Sequence, residues 1–229
     1  MDTALFKTYN DNRKYGKRGL DMKRTKKDYI QYVGGIILLT LGVALSSKAG
    51  FGTGSLDSIN FALAHQTGLN LSIIIVAMAG VAILISTMIR RQKPNFKPLI
   101  AAILMAIFTE GWVNVVNIIV IDSILMQCVV FTLSLLCLAF GLAIYLKPKL
   151  PANPNDDITV SLHEVFHFKI GTAKLLVDLI AIGIALLIGG PIGVGTLLLT
   201  FLLGPLVNII NHIFLTPKAS MIQSKIEIS

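Results

Sequence analysis

Apolar and polar positions divide the chain into long runs that are apolar on every face and short segments that hold nearly all of the charge. Six runs stand out, at residues 29–47, 71–89, 98–121, 124–146, 174–190 and 195–215. Each is close to the ~20 residues with which an α-helix crosses a hydrocarbon core of about 30 Å. A buried helix of a soluble protein would carry a polar stripe at a 3.6-residue period, and these runs do not. In lipid, backbone polar groups must be satisfied within the chain, so every crossing is helical. The pattern predicts an all-α polytopic membrane protein with six transmembrane helices.

Two shorter stretches interrupt this pattern. Gly50, Gly52 and Gly54 follow the first run, and Pro151 and Pro154 follow the fourth. Glycine permits positive φ and proline forbids a continuing helix, so each motif ends a span. A helix-like stretch then runs to about His65 in the first case and about Phe166 in the second, too short to cross. Ser55 or Asn153 is placed to cap the new helix, with Asp57 and Asp156 in its first turn, where a carboxylate complements the helix dipole. The same placement suits two broken or re-entrant half-helices that aim their N-termini and their aspartates at a shared pathway. Both readings are open on sequence alone.

The two interruptions belong to an internal repeat. Residues 42–48, Gly-Val-Ala-Leu-Ser-Ser-Lys, match residues 141–147, Gly-Leu-Ala-Ile-Tyr-Leu-Lys, at an offset of 99, and Asp57 falls on Asp156 at the same offset. Nearer the ends the offset becomes 94, and Val113-Asn114-Val115-Val116-Asn117 falls on Val207-Asn208-Ile209-Ile210-Asn211. Three ordered matches indicate duplication. Three spans per half is an odd number, so the halves enter the membrane from opposite sides, as inverted repeats do in many secondary transporters. The predicted organisation is a basic cytoplasmic extension at 1–28, a first three-span repeat at 29–121, a second at 122–215 and a cytoplasmic tail at 216–229.

Composition agrees, since only 14% of residues are charged, against roughly 25% in a soluble domain. The net charge of +8 would suit nucleic acid if it were spread over a folded surface. Instead nine basic residues, from Lys7 to Lys27, precede the first span, followed by Tyr29 and Tyr32 at the interface. This is the pattern of a positive-inside anchor that also attracts anionic lipid, and no nucleic-acid role is expected. Arg90, Arg91, Lys93, Lys97, Lys147, Lys149, Lys169, Lys218 and Lys225 fall in segments that share the N-terminal side, with Lys48 the exception. Both termini are therefore expected in the cytoplasm of a bacterial cell, with the chain in its inner membrane. The first run exceeds the 7 to 15 residues of a signal-peptide core and its end recurs in the second half, so it is expected to be retained. Cys128 and Cys137 are nine residues apart and on opposite helix faces, which implies neither a disulfide nor a metal pair.

Acids and amides within the spans are the candidate chemistry, because a charge at a helix centre costs about 2.5 to 3.5 kcal/mol on insertion scales. Glu110 sits mid-span, and Asn114 and Asn117 share its face at i+4 and i+7. Span six repeats the asparagines as Asn208 and Asn211 but has Gly204 in place of the acid. Interhelical hydrogen bonding accounts for such asparagines, while a substrate, ion or proton role is the reading for Glu110. Asp178 is explained by an i,i+4 pair with Lys174 or by snorkelling to the interface. His65, His163 and His167, with Glu164, read as interfacial residues rather than metal ligands. No phosphate loop, HExxH helix, nucleophile elbow or dinucleotide fingerprint occurs, so neither an enzyme nor a cofactor is expected.

The pattern Gly42-Val43-Ala44, then Lys48-Ala49-Gly50-Phe51-Gly52, Gly54-Ser55-Leu56-Asp57 and Thr67-Gly68-Leu69, resembles the YczE branch of the YczE/YyaS/YitT bacterial membrane proteins. Gly189-Gly190-Pro191-Ile192-Gly193-Val194-Gly195-Thr196 and Gly204-Pro205-Leu206-Val207 extend the resemblance over about residues 32 to 214. Many members have Pro-Trp before the first aspartate, where this chain has Ser55-Leu56. The resemblance implies a bacterial cytoplasmic-membrane protein with a duplicated core and no established activity. The expected function is a small-solute permease or exporter working by alternating access, with Glu110, Asn114, Asn117, Asn208, Asn211, Asp57 and Asp156 along the path. The alternative is a non-transporting membrane partner, or a substrate-binding subunit, that docks a cytoplasmic enzyme or ATPase module.

Overall fold

A computed structural model describes residues 25–211 and 213, apart from 149 and 169. The basic stretch before Thr25 and the tail at 216–229 lie outside the described residues. The described chain is helical throughout: α1 (Lys26–Ala49), α2 (Ser55–Thr67), α3 (Leu71–Arg90), α4 (Pro98–Val116), α5 (Ile124–Leu146), α6 (Pro154–Phe166), α7 (Ile170–Leu187) and α8 (Val194–Ile210). Among these residues α1, α3, α4 and α5 are long and apolar enough to cross a membrane, while α8 is apolar but shorter, at 17 residues. The short helices α2 and α6 have 13 residues each, about 20 Å at 1.5 Å per residue, less than the hydrocarbon thickness.

The two faces of this assembly are reversed relative to a soluble protein. Large apolar side chains point outward, among them Leu84, Ile100, Ile107, Leu125, Leu179, Ile180 and Phe201, all at least half exposed. Many of the interior positions are small, including Ala44, Ala79, Ala82, Ala101, Ala102, Ala139, Ala143 and Ala185. Small residues inside and large ones outside are what lipid selects, because close backbone approach rather than exclusion of water holds the helices together. Together with the span lengths, this makes the chain a membrane protein.

The largest helix–helix interface joins α1 to α5. Its contacts are reciprocal. A Cβ on Gly42 of α1 would lie 2.7 Å from Leu138 of α5, and one on Gly141 of α5 would lie 2.6 Å from the Cα of Leu39 of α1. Gly35 likewise faces the backbone of Tyr145. Around this seam α4 packs on α1 and α8 on α5, while α2 packs on α7 and α6 on α3. Trp112 of α4 donates its indole N–H to the Ile37 carbonyl of α1 at 3.2 Å.

Some boundaries move from the sequence expectation for local reasons. The third apolar run ends its helix at Val116 rather than 121, and Lys48 reaches across to donate to the Asn117 carbonyl at 3.2 Å. That contact accounts for the one lysine on the wrong side of the charge pattern: it completes a helix C-terminus, where a cation is favoured. At the other end of the chain the α-helical part of α8 runs to Ile210 with Pro205 inside it, Asn211 continues as π-helix, and residues 214–215 lie outside the described residues.

The glycine seam has a direct test. Gly141→Ala places a methyl group against the Leu39 backbone and should cost the upper end of the roughly 1 to 3 kcal/mol typical of overpacking. Gly34→Ala points into open space and should be neutral or stabilise by up to about 1 kcal/mol through helix propensity. Thermal unfolding of both variants in detergent checks the contrast.

Candidate functional site

Two irregular segments carry the starts of the short helices to the middle of the bundle. In the first, Gly52 adopts φ of +102°, and a Cβ there would fall 2.5 Å from the Thr196 hydroxyl and 2.6 Å from the Gly193 nitrogen. Only glycine allows the loop before α2 to lie on the segment before α8. Thr53 N–H donates to the Pro191 carbonyl at 3.1 Å and Gly195 N–H to the Phe51 carbonyl at 2.7 Å. These two bonds zip the two glycine-rich stretches together. Ser58 then donates its hydroxyl to the Gly54 carbonyl at 2.9 Å, which fixes the first turn of α2.

The second segment is held by tyrosines. Tyr32 donates its hydroxyl to the Pro151 carbonyl at 2.8 Å, and Asn153 N–H donates to the Tyr145 hydroxyl at 3.2 Å. The side chain of Asn153 accepts from Asn155 N–H at 3.2 Å and so caps α6, as expected. On α2 the expectation shifts by one residue. Gly54, not Ser55, is the N-cap, and the Ser55 hydroxyl turns away to donate to Asp178 at 2.6 Å.

The starts of α2 and α6 border one partly open cavity of about 360 Å³. Asp57 and Asp156 both line it, as do Asn60 and Thr159 one turn further along each helix. Each of these pairs is separated by 99 residues, and so are Leu39 and Leu138, and Val43 and Leu142, on the apolar wall. At the offset of 94, Met105 pairs with Leu199 and Thr109 with Leu203, also in the lining. The positions Ile75 and Ala79 of α3 correspond in the same way to Lys174 and Asp178 of α7. The register breaks here in chemistry, with an apolar pair on one side and an ion pair on the other.

Lys174 donates to both carboxylate oxygens of Asp178, at 2.7 and 2.9 Å. With the Ser55 hydroxyl these bonds satisfy an acid that is only 2% exposed. Asp57 and Asp156 differ. Among the described residues neither carboxylate has a hydrogen-bond partner, although Lys174 attracts both and Asp57 feels the charge of Asp156. Asp57 folds back over Gly54, where a side chain would displace it. Asn60 Oδ1 and Thr159 Oγ1 are buried with no partner, on residues 5% and 4% exposed. The cavity is therefore lined by two half-buried acids, the Lys174–Asp178 pair and two residues with orphaned polar atoms, with an apolar wall of leucines, Val43 and Met105.

Glu110, Asn114, Asn117, Asn208 and Asn211 do not line this cavity. Glu110 accepts a hydrogen bond from Ser72 N–H at 2.9 Å, in the first turn of α3. It satisfies one of the four orphan donors of that helix and places a negative charge at the positive end of its dipole. Asn114 and Asn117 are exposed on the outside of the bundle, Asn208 is half-buried near the end of α8 with its Oδ1 buried and without a partner among the described residues, and Asn211 is half-buried at the C-cap of that helix. The Lys174–Asp178 pair exists as expected, with Asp178 buried and Lys174 half exposed, and both line the cavity. His163 contacts the Phe168 carbonyl through Nδ1 at 2.6 Å, and its neighbour Glu164 accepts from Arg90, which also pairs with Asp157 at 2.6 Å. Lys174, Asn60 and Thr159 were missed as a group. Carrying the offset of 99 one turn past the aspartates would have found the last two.

The chain belongs to a family described as "Family of unknown function (DUF6198)", whose model matches residues 26–212. It is similar to the uncharacterized protein YyaS of Bacillus subtilis (strain 168), at 31% identity over 182 residues covering 79% of this chain and 90% of that protein. It is also similar to the uncharacterized membrane protein YczE of the same organism, at 23% identity over 174 residues covering 76% and 80%. The resemblance read from the glycine and aspartate motifs holds. No solved structure matches. Since these relatives supply no substrate, the ion pair is best tested through stability. Lys174→Ile leaves Asp178 buried and uncompensated and should cost roughly 2 kcal/mol, below the 3 to 5 kcal/mol of a fully buried pair because the lysine is half open. Adding Asp178→Ala copies Ile75 and Ala79 of the first half and should restore most of the loss, as read by unfolding temperature in detergent.

Proposed function

We propose that this member of a family of unknown function is a small-solute permease of the bacterial cytoplasmic membrane, working by alternating access around the cavity between α2 and α6. In this reading α1, α3 and α4 are the three spans of one half and α5, α7 and α8 those of an inverted second half, with both termini in the cytoplasm. The observation that carries it is the convergence of Asp57 and Asp156, 99 residues apart and each in the first turn of a helix too short to cross, on one cavity. Discontinuous helices that point their N-termini at a midplane site are the usual construction of such carriers.

Two further features support it. The half-helices are exchanged, with α2 against α7 of the other half and α6 against α3. A carrier of this kind opens by rocking one bundle against the other, and exchanged helices couple each half to the site formed by its partner. The ends of those contacts are also unlike. Arg90 at the end of α3 holds Asp157 and Glu164 of α6, whereas Gln66 at the end of α2 donates to the Ile188 carbonyl at 2.6 Å. Two packings of similar design but different strength are what a two-state element requires.

Flux through proteoliposomes tests the reading. A panel of radiolabelled small solutes should reveal one that equilibrates with protein-containing vesicles faster than with empty ones. Asp57→Asn and Asp156→Asn should each lower that flux by tenfold or more. Glu110→Gln keeps an acceptor for Ser72 N–H and should leave the flux within about twofold of the parent. Loss of flux in Glu110→Gln with the aspartate variants unaffected would move the pathway to the other face of α4 and sink the proposal.

A further inference from the structure

Resting on the permease reading of the same cavity, we infer that its ligand is a small organic cation: a primary ammonium carried on an apolar body. The first step is the charge balance. Asp178 is neutralised by Lys174 and by the Ser55 hydroxyl, leaving Asp57 and Asp156 as the two acids whose oxygens face the cavity. The positive ends of α2 and α6 offset these by about half a charge each, so the empty site retains about one negative charge. An isolated buried charge is costly, and a bound cation removes the cost.

The second step is the balance of donors and acceptors. The atoms without partners are Asn60 Oδ1 and Thr159 Oγ1, together with the carboxylate oxygens of Asp57 and Asp156. Amide oxygen and carboxylate accept only, and a hydroxyl accepts as well as it donates. The nearest donor-rich group, the Lys174 ammonium, already serves Asp178. Acceptors therefore outnumber donors in the site. An ammonium supplies three and accepts none, whereas a carboxylate ligand would add acceptors to a cavity already full of them.

The third step is size. A volume of about 360 Å³ is that of a small-molecule pocket and not of a bare ion. Among the described residues no three acidic, histidine or cysteine side chains come near enough to hold a metal. Leu39, Val43, Met105, Leu138, Leu142 and Leu199 form an apolar wall that suits a short hydrocarbon chain.

Binding of three probes with one hydrocarbon body separates the possibilities: n-hexylammonium chloride, sodium hexanoate and 1-hexanol, each titrated against the full-length protein in detergent with unfolding temperature as readout. Hexylammonium should raise the unfolding temperature saturably, and the other two should not. Asp57→Asn, Asp156→Asn and, independently, Asn60→Leu should each raise the half-saturating concentration about tenfold, the effect of losing one charge-assisted contact. Any of these variants that elutes as a folded monodisperse species suffices for the comparison. A saturable response to hexanoate alone, or equal responses to all three, would overturn the inference. The permease reading is judged separately by flux. Ammonium binding without any solute flux would remove transport and keep the cation site, while flux of an anion would remove the cation and keep transport.

Discussion

Leu39 and Leu138 each rest on a glycine of the opposite helix, at Gly141 and Gly42, and this reciprocal contact sets how near α1 and α5 approach. In lipid there is no hydrophobic gain from pressing two apolar helices together, so intimate backbone contact has to supply the cohesion. Everything else takes its position from that seam. The seam pairs Gly35 with Tyr145, Leu39 with Gly141 and Gly42 with Leu138, so α1 and α5 run antiparallel and the chain-breaking motifs that follow them, at Gly50 and Pro151, lie at opposite ends of it. Two short helices follow from those opposite ends, and the first turns that carry their aspartates border the same cavity.

Holding those starts in place takes different chemistry on the two sides. The glycine-rich loop before α2 is zipped to the segment before α8 by backbone bonds that a side chain at Gly52 or Gly193 would prevent. The proline loop before α6 has no such partner and is tied by the hydroxyls of Tyr32 and Tyr145, whose rings lie 5.8 Å apart. Equivalent positions are thus reached by unrelated contacts.

Sequence made the long helices legible because an all-apolar run of twenty residues has one physical outcome in lipid. It made the short helices legible because glycine and proline break a chain in known ways, and the offset of 99 tied Asp57 to Asp156 before any coordinates. The site was only half visible. Glu110 looked like the exceptional charge because a mid-span acid is expensive when nothing nearby offsets it, and its partner is a backbone N–H of another helix that no sequence pattern displays. Asp178 looked ordinary because its partner Lys174 is four residues away and sufficient to explain it. Local pairing was correctly inferred, and burial, which turns that pair into part of the cavity wall, depends on tertiary packing.

Glu110 against Gly204 breaks the register without itself lining the cavity, whereas within the cavity the register is broken by Lys174 and Asp178. Their counterparts Ile75 and Ala79 keep the same places on α3 but carry no charge. A symmetric cavity with two aspartates would attract a cation equally from both halves and hold it on the axis. Adding an ammonium beside Asp178 on one wall tilts the field, since Lys174 acts on both Asp57 and Asp156 from the same side. In a carrier built from inverted halves, such a tilt makes the inward-facing and outward-facing states unequal in energy even when their packing is alike. In the proposed carrier that local difference lies in the cavity wall, where binding of the proposed cation acts on it directly.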